Sequence, residues 1–408
     1  MSTPWPTTTI GELFDIGAGK SVTPASRGQD PKRPFLRTSN VLWGRFDLTD
    51  VDTMFFTDDE FAVKNLRSGD LLVCEGGDIG RAAVWQGQLA ECSFQNHLHR
   101  LRPKRPDISP EFYQFALEGG ITLFGLIEGV GNRTTIPNLS RNRLAELAVP
   151  KPPIDEQRKI AAVLGKVQAA VAVEGDLVRV ARELKQAALR QLFTRGLLHE
   201  PQKQTTLGPV PQSWVVEPLS QAAFLQRGRF THRPRNEPRF YGGKTPFVQT
   251  GDVVRSDGWV REHTQTLTDE GVAISRVFPA GTILITIAAN IGYSGVLTYA
   301  CAAPDSLVGI TASEDFDTTY LSYYLQTQQK RMDELAARGT QKNINIQFLT
   351  PWPVPKPPIA EQREIAALLA TLDAKIAHHE ARRALLRELF RTLLHDLLTA
   401  RRRVTSLD

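Results

Sequence analysis

Three cysteines in 408 residues, Cys74, Cys92 and Cys301, are too few and too scattered for a disulfide framework or a clustered zinc site. Their odd number fits a reducing cytosol. No run approaches the ~18–20 apolar residues of a membrane span. The opening MSTPWPTTTIGELFDIGAGK lacks the basic start and apolar stretch of a secretory signal. Charge of one sign is scarce as well: 49 Lys and Arg face 44 Asp and Glu, a net of +5. By segment the net is −2 over 1–150, +3 over 151–200, +1 over 201–355 and +3 over 356–408. Such a balance permits nucleic-acid binding without indicating it. Catalytic signatures are missing too. GAGKS at 17–21 has Phe14 where a P-loop needs glycine. Glu183-Leu184-Lys185 ends like a nuclease motif but lies in a helical stretch with no strand of carboxylates nearby. The pairs His97/His99 and His378/His379 lack helical metal-ligand spacing. No Asn-Pro-Pro-aromatic stretch of an adenine methyltransferase occurs.

What is present is ordinary in composition and unusual in order. A hydrophobic fraction of 41% and a charged fraction of 23% are those of a globular protein, and the length suits two or three domains. The chain repeats itself. PKPPIDEQRKIAAVL at 150–164 returns as PKPPIAEQREIAALL at 355–369, an offset of 205 with 12 of 15 positions identical. Fainter matches lie upstream at an offset of 212: PFLRTSNV (34–41) with PFVQTGDV (246–253), Gly69–Val73 with Gly281–Ile285, and Ile79-Gly80 with Ile291-Gly292. The chain is two copies of one unit, a mixed globular part followed by a helix.

Each helix has a readable start. Pro152-Pro153 and Pro357-Pro358 preset φ and lack the amide that a first turn leaves unpaired. Asp155 and Glu156, or Glu361, then sit at the positive end of the dipole. Apolar residues recur at alternating steps of four and three: Ile160, Leu164, Val167 and Val171 in the first copy, and Ile365, Leu369, Leu372 and Ile376 in the second. That spacing predicts a coiled-coil seam rather than a broad globular face. The first helix should stop at Arg195 before Gly196, and the second near Thr399. Glu174 and His379 occupy equivalent seam positions and interrupt the apolar step; they either pair or stay exposed. In the globular parts, short runs such as DLLVCEG and GTILITIAA between Gly, Pro and Asp turns predict strands. SPEFYQFALEG and TTYLSYYLQTQQKRMDELAAR predict one helix each, so the fold class is α+β.

This order, with the duplicated PPI-x-EQR start, LKQAALRQLFTRGL after the first helix, LGPVPQSW before the second globular part and the C-terminal LFRTLLHDLLTARRRV, resembles the specificity subunits of type I restriction–modification systems. The resemblance implies two pseudo-symmetric target-recognition domains, 1–150 and 201–355, and two spacer helices, 151–200 and 356–408, paired as an antiparallel coiled coil. The other reading packs each helix on its own globular part. It further implies a non-catalytic cytoplasmic subunit in which each domain reads one half of a bipartite site on double-stranded DNA. The helices would set the gap and dock two copies of a DNA adenine methyltransferase subunit, and an ATP-dependent restriction subunit would join. No cofactor is expected on this chain; AdoMet, ATP and Mg belong to the partners. A protein-gripping scaffold and an enzyme with an unrecognised site are the competing classes.

Candidate DNA contacts come from recurrence. Arg227, Arg229, Arg233, Arg235, Arg239 and Lys244 fall within eighteen residues that hold one acid, Glu237. The matching stretch of the first copy holds Lys20, Arg27, Lys32, Arg33 and Arg37 against Asp30 alone. Basic loops at one place in both copies suit phosphate contact and guanine reading, a solvated loop being the bland alternative. A second pair of loops, GNRTTIPN (131–138) and GTQKNINI (339–346), offers Arg133, Thr134, Gln341, Lys342 and Asn343 to base edges, or simply makes turns.

Overall fold

The computed structural model describes residues 4–127, 138–232, 234, 236–336 and 343–404. The chain forms two compact units, residues 1–176 with 380–408, and residues 177–379. Both boundaries fall inside long helices, α1 at Ile154–Arg195 and α2 at Ile359–Leu398. Each unit therefore contains the start of one long helix and the end of the other.

In the first unit four strands, β1 (Phe14–Ala18), β2 (Leu71–Cys74), β3 (Ala82–Val84) and β4 (Leu98–Pro103), form an antiparallel sheet in the order β1-β4-β2-β3. The second unit repeats it. Strands β5 (Ala223–Arg227), β6 (Trp259–Val260), β7 (Ile283–Thr286), β8 (Ser294–Leu297) and β9 (Leu307–Ala312) lie in the order β5-β9-β7-β8-β6. The added β6 is parallel to β8.

The interior strands explain their own composition. LLVC in β2 and ILIT in β7 are buried at every residue, because both faces of each sheet are covered. Leu71 and Val73 enter one core with Phe112 and Phe115 of the helix Pro110–Leu123. Leu72 and Cys74 enter another with Leu36, Trp85 and Phe94. Ile283 and Ile285 likewise part from Leu284. The three cysteines are free and buried, and burial pushes the Cys74 thiol up to about 11 and those of Cys92 and Cys301 to about 12.

Within each unit the long helices run antiparallel. In the first, Arg403 Nη1 meets Glu156 Oε1 at 2.7 Å and Arg382 Nε meets Glu174 Oε1 at 3.0 Å. In the second, Lys185 Nζ lies 2.5 Å from Asp373 Oδ1, and the Leu197 amide donates to Glu361 Oε1 at 2.9 Å. Partner numbers fall along one helix as they rise along the other. Glu174 is thus buried and paired rather than exposed. Among the expected seam residues Ile160, Leu164, Ile365, Leu369 and Ile376 are buried, and Val167, Val171 and Leu372 half-buried.

The contact surface at the helix starts is broader than a two-helix seam. Ile160 and Leu164 share a core with Leu394 and Leu397 and also with Phe112 and Phe115 of the globular part. Ile365 and Leu369 do the same with Leu189, Phe193, Tyr320 and Tyr324. Both packing arrangements therefore coexist, because a helix start has a sheet domain on one side and a helix end on the other.

The EQR repeat is the joint that fixes this. Gln157 is fully buried: its Oε1 accepts the Ser109 amide at 2.9 Å, and its Nε2 donates to Pro152 O and Asp107 O. Gln362 repeats every bond, from the Asp317 amide and to Pro357 O and Asp315 O. Glu156 and Glu361 each accept an indole N–H at 3.0 Å, from Trp5 and Trp214. The first helix ends as expected, at Gly196 with φ of 61°.

Candidate DNA interface

One end of each sheet carries some of the functional candidates. In the first domain β1 finishes there, β4 begins, β2 finishes and β3 begins, with His99 opposite Ala18, Leu98 opposite Cys74 and Val73 opposite Ala82. In the second, Arg227 lies opposite Val308, Leu307 opposite Thr286 and Ile285 opposite Ser294. At this end Gly19 and Gly228 play one role. A Cβ on Gly19 would stand 2.1 Å from Gln95 O, and one on Gly228 2.1 Å from Pro304 O, so only glycine admits the neighbouring turn. The GAGK stretch is a close-approach device, not a phosphate cradle.

The basic segments take two electrostatic forms. In the first domain Lys20 pairs with Glu60 at 2.5 Å, Arg27 with Asp52 at 3.3 Å and Arg37 with Asp50 at 2.6 Å. Arg33 reaches Asp58 at 2.8 Å and Glu91 at 3.1 Å, its guanidinium 4.2 Å from the centre of the Phe61 ring. Lys32 is exposed. In the second domain Arg227 Nε donates to Asp305 O at 2.7 Å, and Arg229 donates to Ser275 O through Nη2 at 2.9 Å. Arg276, which no sequence pattern singles out, donates to Arg227 O. Arg239 pairs with Glu237 at 2.8 Å, and Lys244 is exposed. Neither segment is simply a loop: Lys32 and Arg33 lie on the strand Lys32–Leu36, and Lys244 on Tyr241–Phe247.

The second pair of candidate loops rejoins the described chain at the same sheet end. The Leu139 amide donates to Glu75 O, and Leu139 O lies 2.9 Å from His99 Nε2. Burial holds the His99 ring below its usual pKa, which favours the neutral form. Asn343 bridges to Ala288, and the Ile344 amide donates to Ile287 O. Arg133, Thr134, Arg233, Arg235, Gln341 and Lys342 lie outside the described residues.

Two copies of one sheet end, each in a unit with an EQR-opened helix, have a counterpart among known sequences. The profile of the type I restriction modification DNA specificity domain matches residues 3–177 and again residues 214–388. The chain belongs to this family.

The specificity chain is 24% identical over 290 residues to the type I restriction enzyme MjaVIII specificity subunit of Methanocaldococcus jannaschii, covering 67% of each chain. Its fold is similar to that of the type I restriction-modification system S subunit from M. genitalium, with a TM-score of 0.65 at 18% identity over 97% of this chain and 96% of that one. It is also similar to a chain from a structure describing complex assembly and conformational transition of the type I R-M system, with a TM-score of 0.56, 19% identity and 98% of both chains covered. Among the described residues no helix is long and apolar enough to cross a membrane, and no group of three or more His, Cys, Asp or Glu could hold a metal ion.

Some residues that hold this frame are visible in the sequence and some are not. Gln157 and Gln362 stand in the stretch repeated at 12 of 15 positions, and Trp5 and Trp214 lie near the start of each globular part. Arg81, which donates to Thr38 O at 3.1 Å beside Cys74, carries no such signal.

Proposed function

We propose that this chain is the non-catalytic DNA-reading subunit of a cytoplasmic type I restriction–modification complex, each domain reading one half of a bipartite site. The observation that carries this reading is the duplicated sheet end, where one backbone frame presents different side chains twice. The long helices set the gap between half-sites. They also dock two copies of a DNA adenine methyltransferase subunit, consistent with the exposed apolar stripe Leu177, Val180 and Leu184 on α1. AdoMet binds on the methyltransferase, and ATP and Mg on the restriction subunit.

The test is to co-express the chain with its methyltransferase and map the modified adenines. The expected product is one bipartite motif. Deleting four residues from a long helix shortens it by ~6 Å, close to two base pairs of duplex, and should narrow the gap while both half-sites persist. Scattered methylation without a motif, or altered half-sites after the deletion, contradicts the proposal.

A further inference from the structure

We infer that the turn Gln95–Asn96–His97 reads base edges in the half-site bound by the first domain. The inference rests on the function proposed above and names the residues that would supply its specificity on one side.

Four backbone hydrogen bonds hold this turn. The Gln95 amide donates to Leu36 O, the Asn96 amide to Lys20 O and the Leu98 amide to Gln95 O, while His97 O accepts from the Glu75 amide, all at 2.9–3.0 Å. Three separate segments of the sheet end therefore hold it. Its side chains are uncommitted: among the described residues none of the three makes a hydrogen bond. His97 is exposed, and Gln95 and Asn96 are half-buried. A rigid frame presenting unspent amide and imidazole groups can hydrogen-bond a base without ordering a loop first.

The second domain keeps the frame and changes the groups. Lys20 N–H to Phe94 O at 3.0 Å becomes Arg229 N–H to Ala303 O at 2.9 Å. Leu98 N–H to Gln95 O becomes Leu307 N–H to Pro304 O at 3.1 Å, and Glu75 N–H to His97 O becomes Ile287 N–H to Ser306 O at 3.0 Å. Gln-Asn-His is thereby replaced by Pro-Asp-Ser on the same scaffold. Pro304 has no amide to repeat the Gln95 bond to Leu36 O, but the three bonds just named are kept while the displayed groups change, as reading two different sequences requires. An amide side chain pairs in two places with adenine N6 and N7, so an adenine edge is the match for Gln95 or Asn96.

The test uses the full chain in its methyltransferase complex, with the triple variant Gln95→Ala, Asn96→Ala, His97→Ala. Methylated-site mapping should show one to three adjacent positions of one half-site relaxed, with roughly five- to 150-fold less preference for the cognate base. The other half-site and the salt dependence of binding should be unchanged. Unaltered half-sites, or a uniform loss across all sequences with a shallower salt slope, overturn the inference. If the triple variant melts at a lower temperature, His97→Ala alone, altering one exposed unbonded side chain, is read by the same criteria. A wild-type complex that methylates no bipartite motif sinks the function itself; a specific wild type with an indifferent variant sinks only the turn.

Discussion

Gln157 and Gln362 make the same three hydrogen bonds at the two helix starts, whereas the side chains around them have drifted apart. Nine residues beyond Ser109 stands Glu118, buried with Oε2 unpartnered, while nine beyond Asp317 stands Gln326, which donates to Ser322 Oγ at 3.3 Å. Asp373 of the second domain's unit binds Lys185 and the Tyr323 hydroxyl. Its counterpart Gln168 only donates to Trp43 O at 3.4 Å. The basic segment of the first domain faces carboxylates, whereas Arg227 and Arg229 donate to main-chain carbonyls. The side-chain bonds that fix the two helix starts are shared between the domains. The side chains around them are not.

The largest expected effect tests the shared part. Gln157→Ala and Gln362→Ala each strand buried donors and acceptors, and should each cost about 2–4 kcal/mol in urea unfolding. Hydrogen exchange should place the loss in the unit that holds the mutated helix start. A cost in one copy only would break the equivalence of the two joints.

Lys185→Met removes a mostly buried cation from Asp373, with a loss of about 1–3 kcal/mol, less than for a fully dry pair because Asp373 keeps some solvent contact. Gln168→Leu in the other copy should change stability by less than about 0.5 kcal/mol. Equal costs would mean that the Lys185–Asp373 pair adds nothing to its end of the helix pair.

Glu118 gives a pH-dependent contrast. Burial raises its carboxyl from 4.5 to about 7, so the folded chain holds this proton more tightly than the unfolded one. Its unfavourable contribution is absent below pH 4.5, grows as the pH rises toward 7 and is constant above. Glu118→Gln, which copies the second domain, should stabilise by about 1–3 kcal/mol at pH 8 and by almost nothing at pH 4. A gain independent of pH would show that the carboxyl is not the cause.

The smallest effect concerns DNA. Arg227→Ala with Arg229→Ala should lower the slope of log affinity against log salt by about one for every phosphate no longer neutralised. Arg33→Ala with Arg37→Ala should lower it less, because those guanidiniums already sit against Asp58, Glu91 and Asp50. Equal slopes in filter binding would erase the electrostatic difference between the domains.

Much of the frame could be read from residue order. The prolines before Ile154 and Ile359, the glycine at 196 and the 205-residue repeat act locally or by self-comparison, and each marked a boundary that the structure keeps. The candidate interface was legible only in part. The cations stand out in the sequence, but their counter-ions do not. Nor does the Gln95–His97 turn, since three polar residues between two strands look like any other turn.

The amino-acid sequence by itself determined that there are two copies, where each long helix begins and ends, and that apolar runs such as DLLVCEG and GTILITIAA form strands. Those features depend on dihedral preference, capping and side-chain period. The tertiary structure alone decided which cations are neutralised and which distant segments share the sheet end. Glu60, Asp52, Asp58 and Glu91 stand 25 to 58 residues from the cations they meet, and strand order, not sequence distance, brings them there. Coulomb interactions depend on separation in space, which the pairing of strand Lys32–Leu36 with strands Asp52–Phe55 and Ser93–Phe94 supplies for Arg33 and its counter-ions.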